Sequence, residues 1–125
     1  MKVVAFNGSP RQEGNTAKAL DTVLKQIKGA GIETEVVQVG KEKVRGCTAC
    51  MGCLKNQDER CVLEGDSVNE WIQKMKKAEG ILIGSPVYFS GVAGTMKAFL
   101  DRAFFVTGVN GSTLRHKVGA AVVAV

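Results

Sequence analysis

Four cysteines stand at Cys47, Cys50, Cys53 and Cys61 and nowhere else in the 125 residues, spaced C-x2-C-x2-C-x7-C on one segment. Thiolates two residues apart turn toward a common point. Three such ligands with a more distant fourth match the way proteins hold a cubane iron-sulfur cluster, so redox chemistry is the first expectation. Two plainer readings stand beside it. One is a structural zinc, although closed zinc sites usually draw two separated cysteine pairs rather than a packed triplet. The other is reduced thiols with no metal at all. A structural disulfide ranks last, because nothing at the N-terminus resembles a signal peptide, and a chain without one belongs in the reducing cytoplasm.

A second set of reactive residues fills Gly8 to Thr16, GSPRQEGNT. Hydroxyls, a guanidinium, an amide and two glycines stand there at the point where a helix begins. Free backbone N–H groups at a helix N-terminus bind phosphate, and an arginine adds charge-assisted hydrogen bonds. The loop is not a Walker A motif, since five residues separate Gly8 from Gly14 and Asn15 occupies the lysine position. It lacks G-x-G-x-x-G as well. The plain alternative is an ordinary strand-to-helix turn built of turn and capping residues. A third stretch, Ser85 to Gly94, reads SPVYFSGVAG. A proline followed by two aromatics and small residues offers a flat apolar floor for a planar heterocycle. Tyr88 and Phe89 as simple core aromatics is the competing reading.

The remaining residues must bring these three stretches together. Lys2 to Phe6 is a short apolar strand that breaks at Asn7-Gly8-Ser9-Pro10. Ala17, Leu20, Val23, Leu24 and Ile27 recur at helical spacing, with Asn15 or Thr16 as cap and Gly29 and Gly31 as terminators. Thr34 to Val39 predicts a second strand, and a long irregular connection from about 41 to 65 carries the cysteines. Asp66 caps a helix with Val68, Trp71, Ile72 and Met75 on one face, and Gly80 to Gly84 is a third strand stopped by Ser85-Pro86. Val92, Met96, Phe99, Leu100 and Ala103 mark another helix, and Val118 to Val125 a fourth strand.

Apolar strands separated by helices imply a three-layer α/β fold, a doubly wound parallel sheet covered on both faces. Right-handed crossovers favour the flavodoxin-like strand order 2-1-3-4. In such a sheet all strand C-termini share one edge, so the three stretches are expected to face one site. With 45% hydrophobic residues the chain is expected to form one domain, 1–125. Its final helix and edge strand are expected to be missing, because the last strand runs straight to the C-terminus. A net charge of +5 is scattered, with no basic stripe interleaved with aromatics, which argues against nucleic acid. No apolar run reaches membrane-spanning length. Asp101 and Arg102, adjacent on a helix, cannot face each other and are expected to be structural or subunit-contact residues. His116, the only histidine, is expected to be exposed and without a catalytic role.

With these residues in view, the chain resembles the NADPH-dependent FMN reductase family, and within it the iron-sulfur flavoproteins. GSPRQEGNT resembles the family's phosphate loop, SPVYFSG at 85 to 91 its isoalloxazine segment, and MKAFLDR at 96 to 102 the helix that follows. The resemblance implies that Ser9, Arg11, Asn15 and Thr16 hold the FMN phosphate, and that Pro86, Val87, Tyr88, Phe89 and Gly91 line the ring. It further implies that Cys47, Cys50, Cys53 and Cys61 ligate a [4Fe-4S] cluster. The implied activity is an FMN-dependent oxidoreductase fed by NAD(P)H or by a redox protein such as a ferredoxin, in a cytoplasmic homodimer or homotetramer. No side-chain acid or base is required for hydride transfer, so no catalytic residue is assigned. The alternatives are a zinc-stabilised, non-catalytic interaction module and a flavin-free phosphate-binding domain.

Overall fold

The computed structural model describes residues 1–125. β1 (Lys2–Asn7) pairs in parallel with β2 (Glu33–Gln38) on one side and with β3 (Gly80–Tyr88) on the other. β5 (Val118–Ala124) adds to the far side of β3, also parallel. The parallel order is therefore β2-β1-β3-β5, with the two-residue β4 (Gly91–Val92) folded back antiparallel on the end of β3. This is the expected order, and the fourth predicted strand is β5.

Alternation along β1 explains the two layers that cover the sheet. Val4 and Phe6 face a large core closed by α3 (Val68–Lys77) and α4 (Gly94–Val109), where Trp71, Ile72, Met75, Met96 and Phe99 are all buried. Trp71 meets the Phe99 ring edge-on at 5.2 Å, and Phe6 packs tilted against it at 5.0 Å. Ala5 faces the opposite way and joins Leu20 and Leu24 of α1 (Asn15–Gly29) with Leu82. The two edge strands escape two-sided burial: Val36 of β2 is 46% exposed, and Val118 and Val123 of β5 are 76% and 63% exposed. No helix is long and apolar enough to cross a membrane.

Several boundaries differ from the sequence expectation for identifiable reasons. β3 continues through Ser85-Pro86 to Tyr88, because the β1 ladder ends at Gly84 and a strand with one remaining neighbour tolerates a proline. Val92 lies in β4 rather than in the following helix, which starts at Gly94. Gly14, not Asn15 or Thr16, occupies the N-cap of α1, and no side chain caps that end. The cysteine connection is irregular as expected, apart from the short α2 (Gly52–Asn56). Ser67, not Asp66, occupies the N-cap of α3; Asp66 stands one residue earlier, its Oδ1 accepting the Val68 N–H at 3.2 Å.

Candidate functional site

At the C-terminal end of β1 the fully buried Asn7 shapes the loop that follows. Its Oδ1 accepts the Ser9 N–H at 3.0 Å, while its Nδ2 donates to Gln38 Oε1 of the neighbouring strand at 2.9 Å. Ser9 Oγ in turn accepts the Arg11 N–H, and the Gly8 N–H reaches Gly84 O at 2.8 Å, locking the loop to β3. Gly40, just past β2, lies so close that a Cβ there would stand 2.3 Å from the Ser9 carbonyl carbon. With no side-chain cap, the N–H groups of the first turn of α1 keep no protein partner. They open onto a recess of about 230 Å³ lined by Ser9, Arg11, Gly14, Asn15, Thr16 and, from β3, Pro86, Val87 and Tyr88.

Seven of the nine residues assigned to FMN by resemblance thus share one recess, and two do not. Phe89 sits at the tip between β3 and β4 with its ring fully exposed, and Gly91 borders an adjoining groove on the β5 side that shares Pro86 and Val87 with the recess. Phe89 and Ser90 both have positive φ, +43° and +65°, a conformation that costs a bulky residue energy. Ser85, the first residue of the third stretch and one given no contact of its own there, closes the base of this turn by accepting the Ala93 N–H at 3.0 Å and donating to Pro86 O. Asn7 and Ser85 are the residues that sequence reasoning missed. Polar side chains at the last buried positions of apolar strands were the signal.

The cysteine segment leaves the same sheet edge, yet its recess is separate. Cys47, Cys50, Cys53 and Cys61 line one small cavity with Met51, Val62, Arg102 and Phe105, and it shares no lining residue with the first. The expectation of one common site is therefore met at the level of the edge and not of the cavity. All four thiols are free, and no three side chains stand close enough together to ligate a metal. The cavity, about 20 Å³, is filled by the side chains as they stand.

The donor set nonetheless fits an iron-sulfur centre. Four soft sulfur donors line one small recess, and N–H groups are already aimed at two of them. The Ala49 N–H points to Cys47 Sγ at 3.4 Å and Arg102 Nε to Cys61 Sγ at 3.3 Å. Ala49, Met51, Gln57 and Glu59 all have positive φ, so the chain reverses repeatedly beside the cysteines. Gly52 lets the two cysteine stretches meet, since a Cβ there would lie 2.5 Å from Val62 Cγ1. Burial is the main influence on the Cys53 thiol and pushes its pKa up, which favours the neutral form until a metal displaces the proton.

Side chains rather than regular structure anchor this segment. Asn69 grips the Cys61 backbone at both ends, accepting its N–H at 2.8 Å and donating to its carbonyl at 2.9 Å. Asn110 donates to Cys53 O and accepts the Glu59 N–H. Arg102, wholly buried, bonds to Cys61 Sγ, Arg45 O, Leu63 O and the Asp66 carboxylate. It is structural, as expected, while Asp101 turns outward to Lys97. His116 is exposed, again as expected. A larger apolar groove of about 290 Å³, between Val3, Val23, Ile27 and Val118, lies at the opposite sheet edge, the wrong one for a ligand in this fold.

A parallel sheet in this order, with an uncapped helix start after its first strand and a recess at the strands' C-terminal edge, defines the doubly wound ligand-binding α/β class. Within that class the chain belongs to the NADPH-dependent FMN reductase family, which it matches over residues 1–125. It is 41% identical to an iron-sulfur flavoprotein of Methanocaldococcus jannaschii, an alignment that covers 98% of this chain and 61% of the relative. An iron-sulfur flavoprotein of Archaeoglobus fulgidus is 35% identical, with 98% of this chain and 54% of the relative covered. The chain thus spans roughly three-fifths or less of the length of these relatives. Among solved structures, RosB with bound 8-demethyl-8-formylriboflavin-5'-phosphate superposes with a TM-score of 0.75 at 18% identity, over 98% of this chain and 51% of that one.

Proposed function

We propose that this chain holds FMN in the recess between the β1–α1 loop and the end of β3, and works as an oxidoreductase that draws electrons from NAD(P)H or a redox protein such as a ferredoxin. The observation that carries the reading is the uncapped start of α1 opening on a recess that also holds the Arg11 guanidinium and the Ser9 and Thr16 hydroxyls. Free N–H groups, a helix N-terminus and a cation together favour a phosphate dianion. Pro86, Val87 and Tyr88 supply an apolar wall beside it, suited to a planar ring. Family membership supports the same reading.

When bound, FMN supplies hydride acceptance and the release of electrons singly. The protein's part is to place and polarise. Asn7 fixes the Ser9 backbone and the Arg11 N–H holds its Oγ, so the hydroxyl would meet a bound phosphate with little further ordering. Pro86, Val87 and Tyr88 would hold the ring and keep water from one of its faces. Cys47, Cys50, Cys53 and Cys61 are the ligands for a [4Fe-4S] cluster, a role supported by the thiol recess and by relatives named iron-sulfur flavoproteins. The exposed apolar rim of Tyr88, Phe89 and Val92 suits assembly into a homodimer or homotetramer.

Titration with FMN and with riboflavin, which lacks the phosphate, tests the carrying observation. FMN should bind at least tenfold more tightly; equal affinity removes the phosphate recess from the account. Iron, sulfide and zinc analysis of protein purified without air decides the second part. Iron with acid-labile sulfide supports the cluster, whereas one zinc, or no metal, excludes it.

A further inference from the structure

We infer that Arg102 is the positioning residue of the thiol site and that its charge, offset by Asp66, sets how readily a cluster held there accepts an electron. The inference rests on the cluster reading above and adds to it a residue that is not a ligand. Apart from Asp66 at the start of α3, every polar contact of the Arg102 side chain goes to the cysteine segment. Nη1 donates to Arg45 O at 3.1 Å and to Asp66, Nη2 to Leu63 O at 2.8 Å, and Nε to Cys61 Sγ at 3.3 Å. Arg45 lies two residues before the first cysteine and Leu63 two residues after the last. One guanidinium thus ties both ends of the segment and closes it into a loop.

Closure alone does not call for a cation. A buried ion pair contributes little beyond what well-packed apolar residues of the same volume would supply. The arrangement does something that apolar packing cannot: it aims one N–H of a permanent cation at a sulfur. Hydrogen bonds to cluster sulfurs and nearby charge raise the reduction potential, because they stabilise the added negative charge. The Arg102 and Asp66 side chains are 0% and 8% exposed, so solvent screens this charge weakly. Asp66 cancels part of it. The pair behaves as a balanced dipole whose positive end touches the ligand.

Removing either partner should therefore move the potential in opposite directions. In anaerobic dithionite titrations followed by the electron paramagnetic resonance of the reduced cluster, Arg102→Gln should be harder to reduce than wild type by tenfold or more, which is 59 mV for one electron. Asp66→Asn should be easier to reduce. The double variant, neutral like the wild-type pair, should fall between them. In cluster-free protein, hydrogen exchange should rise across residues 45–63 in Arg102→Gln and stay unchanged in β1 and β3. If Arg102→Gln does not fold, the Asp66→Asn shift still decides. Wild type that takes up no iron and sulfide overturns the cluster reading together with this inference. Wild type that takes up a cluster, while the variants shift together or not at all, overturns the inference alone.

Discussion

The phosphate-side loop and the cysteine segment leave the same edge of the sheet but are held by opposite means. The first is defined by missing atoms. Gly8 and Gly40 let backbone press on backbone, and the strand register of β1 and β3 does the rest. The second has almost no ladder to inherit, so Arg102, Asn69 and Asn110 reach across from α3, α4 and its C-terminal end to hold it. A strand-end turn takes its shape from its sheet. A long insertion must be supplied with anchors one by one.

The contrast predicts which changes hurt each region. Arg102→Ala should have the largest effect, about 3–5 kcal/mol in denaturant unfolding, since it strands the Asp66 carboxylate in the interior. A loss under 1 kcal/mol would mean that the segment does not depend on this anchor. Gly40→Ala works the other way, by adding one methyl. Its Cβ would fall 2.3–2.4 Å from Ser9 and Gly8 backbone atoms, so a loss of about 1–3 kcal/mol is expected. FMN affinity should fall with it while riboflavin affinity holds, and unchanged FMN binding would show that the loop shape is not what recognises phosphate.

Asn69→Ala should cost about 1–3 kcal/mol, because two backbone groups of Cys61 lose their partners together. Hydrogen exchange should speed up around 58–63 and leave the Gly8–Thr16 loop untouched. The smallest effect is the acid limb of stability. Burial pushes the Asp66 carboxyl up, but the bonds from Arg102 and the Val68 N–H, with the Arg45 backbone, pull it further down, and its folded value lies below the ordinary one. Its contribution is thus complete above about pH 4 and disappears as pH falls through the folded value. Asp66→Asn should flatten that part of the curve. Glu35, held low by Lys2 and Lys74, continues to titrate there as an internal control.

Strand order was legible because Val3–Phe6 and Gly80–Gly84 are short apolar runs, Thr34–Val39 is a short β-branched one, and all three alternate with helices. The recess residues were legible for a related reason: turn, hydroxyl and cationic residues cluster only where β1 ends. Other features could not be read. The cap at Gly14 rather than Asn15 depends on a one-residue boundary, and the continuation of β3 through Pro86 depends on where its neighbour stops. The role of Arg102 was hidden because its partners lie 36 to 57 residues away, and the exposure of the Phe89 ring was hidden because a local pattern does not reveal which side of a tight turn a ring will take.

α4 begins at Gly94, two residues after β4 and close to the end of β3 that borders the first recess, and carries Arg102 eight residues further on. Each residue of a helix adds about 1.5 Å and 100°. The ring wall and the thiol loop are therefore indexed to each other by a rigid screw thread. A single insertion between these two points would swing the guanidinium about a third of a turn away from Cys61, so the length between Gly94 and Arg102 sets whether the anchor can reach its loop.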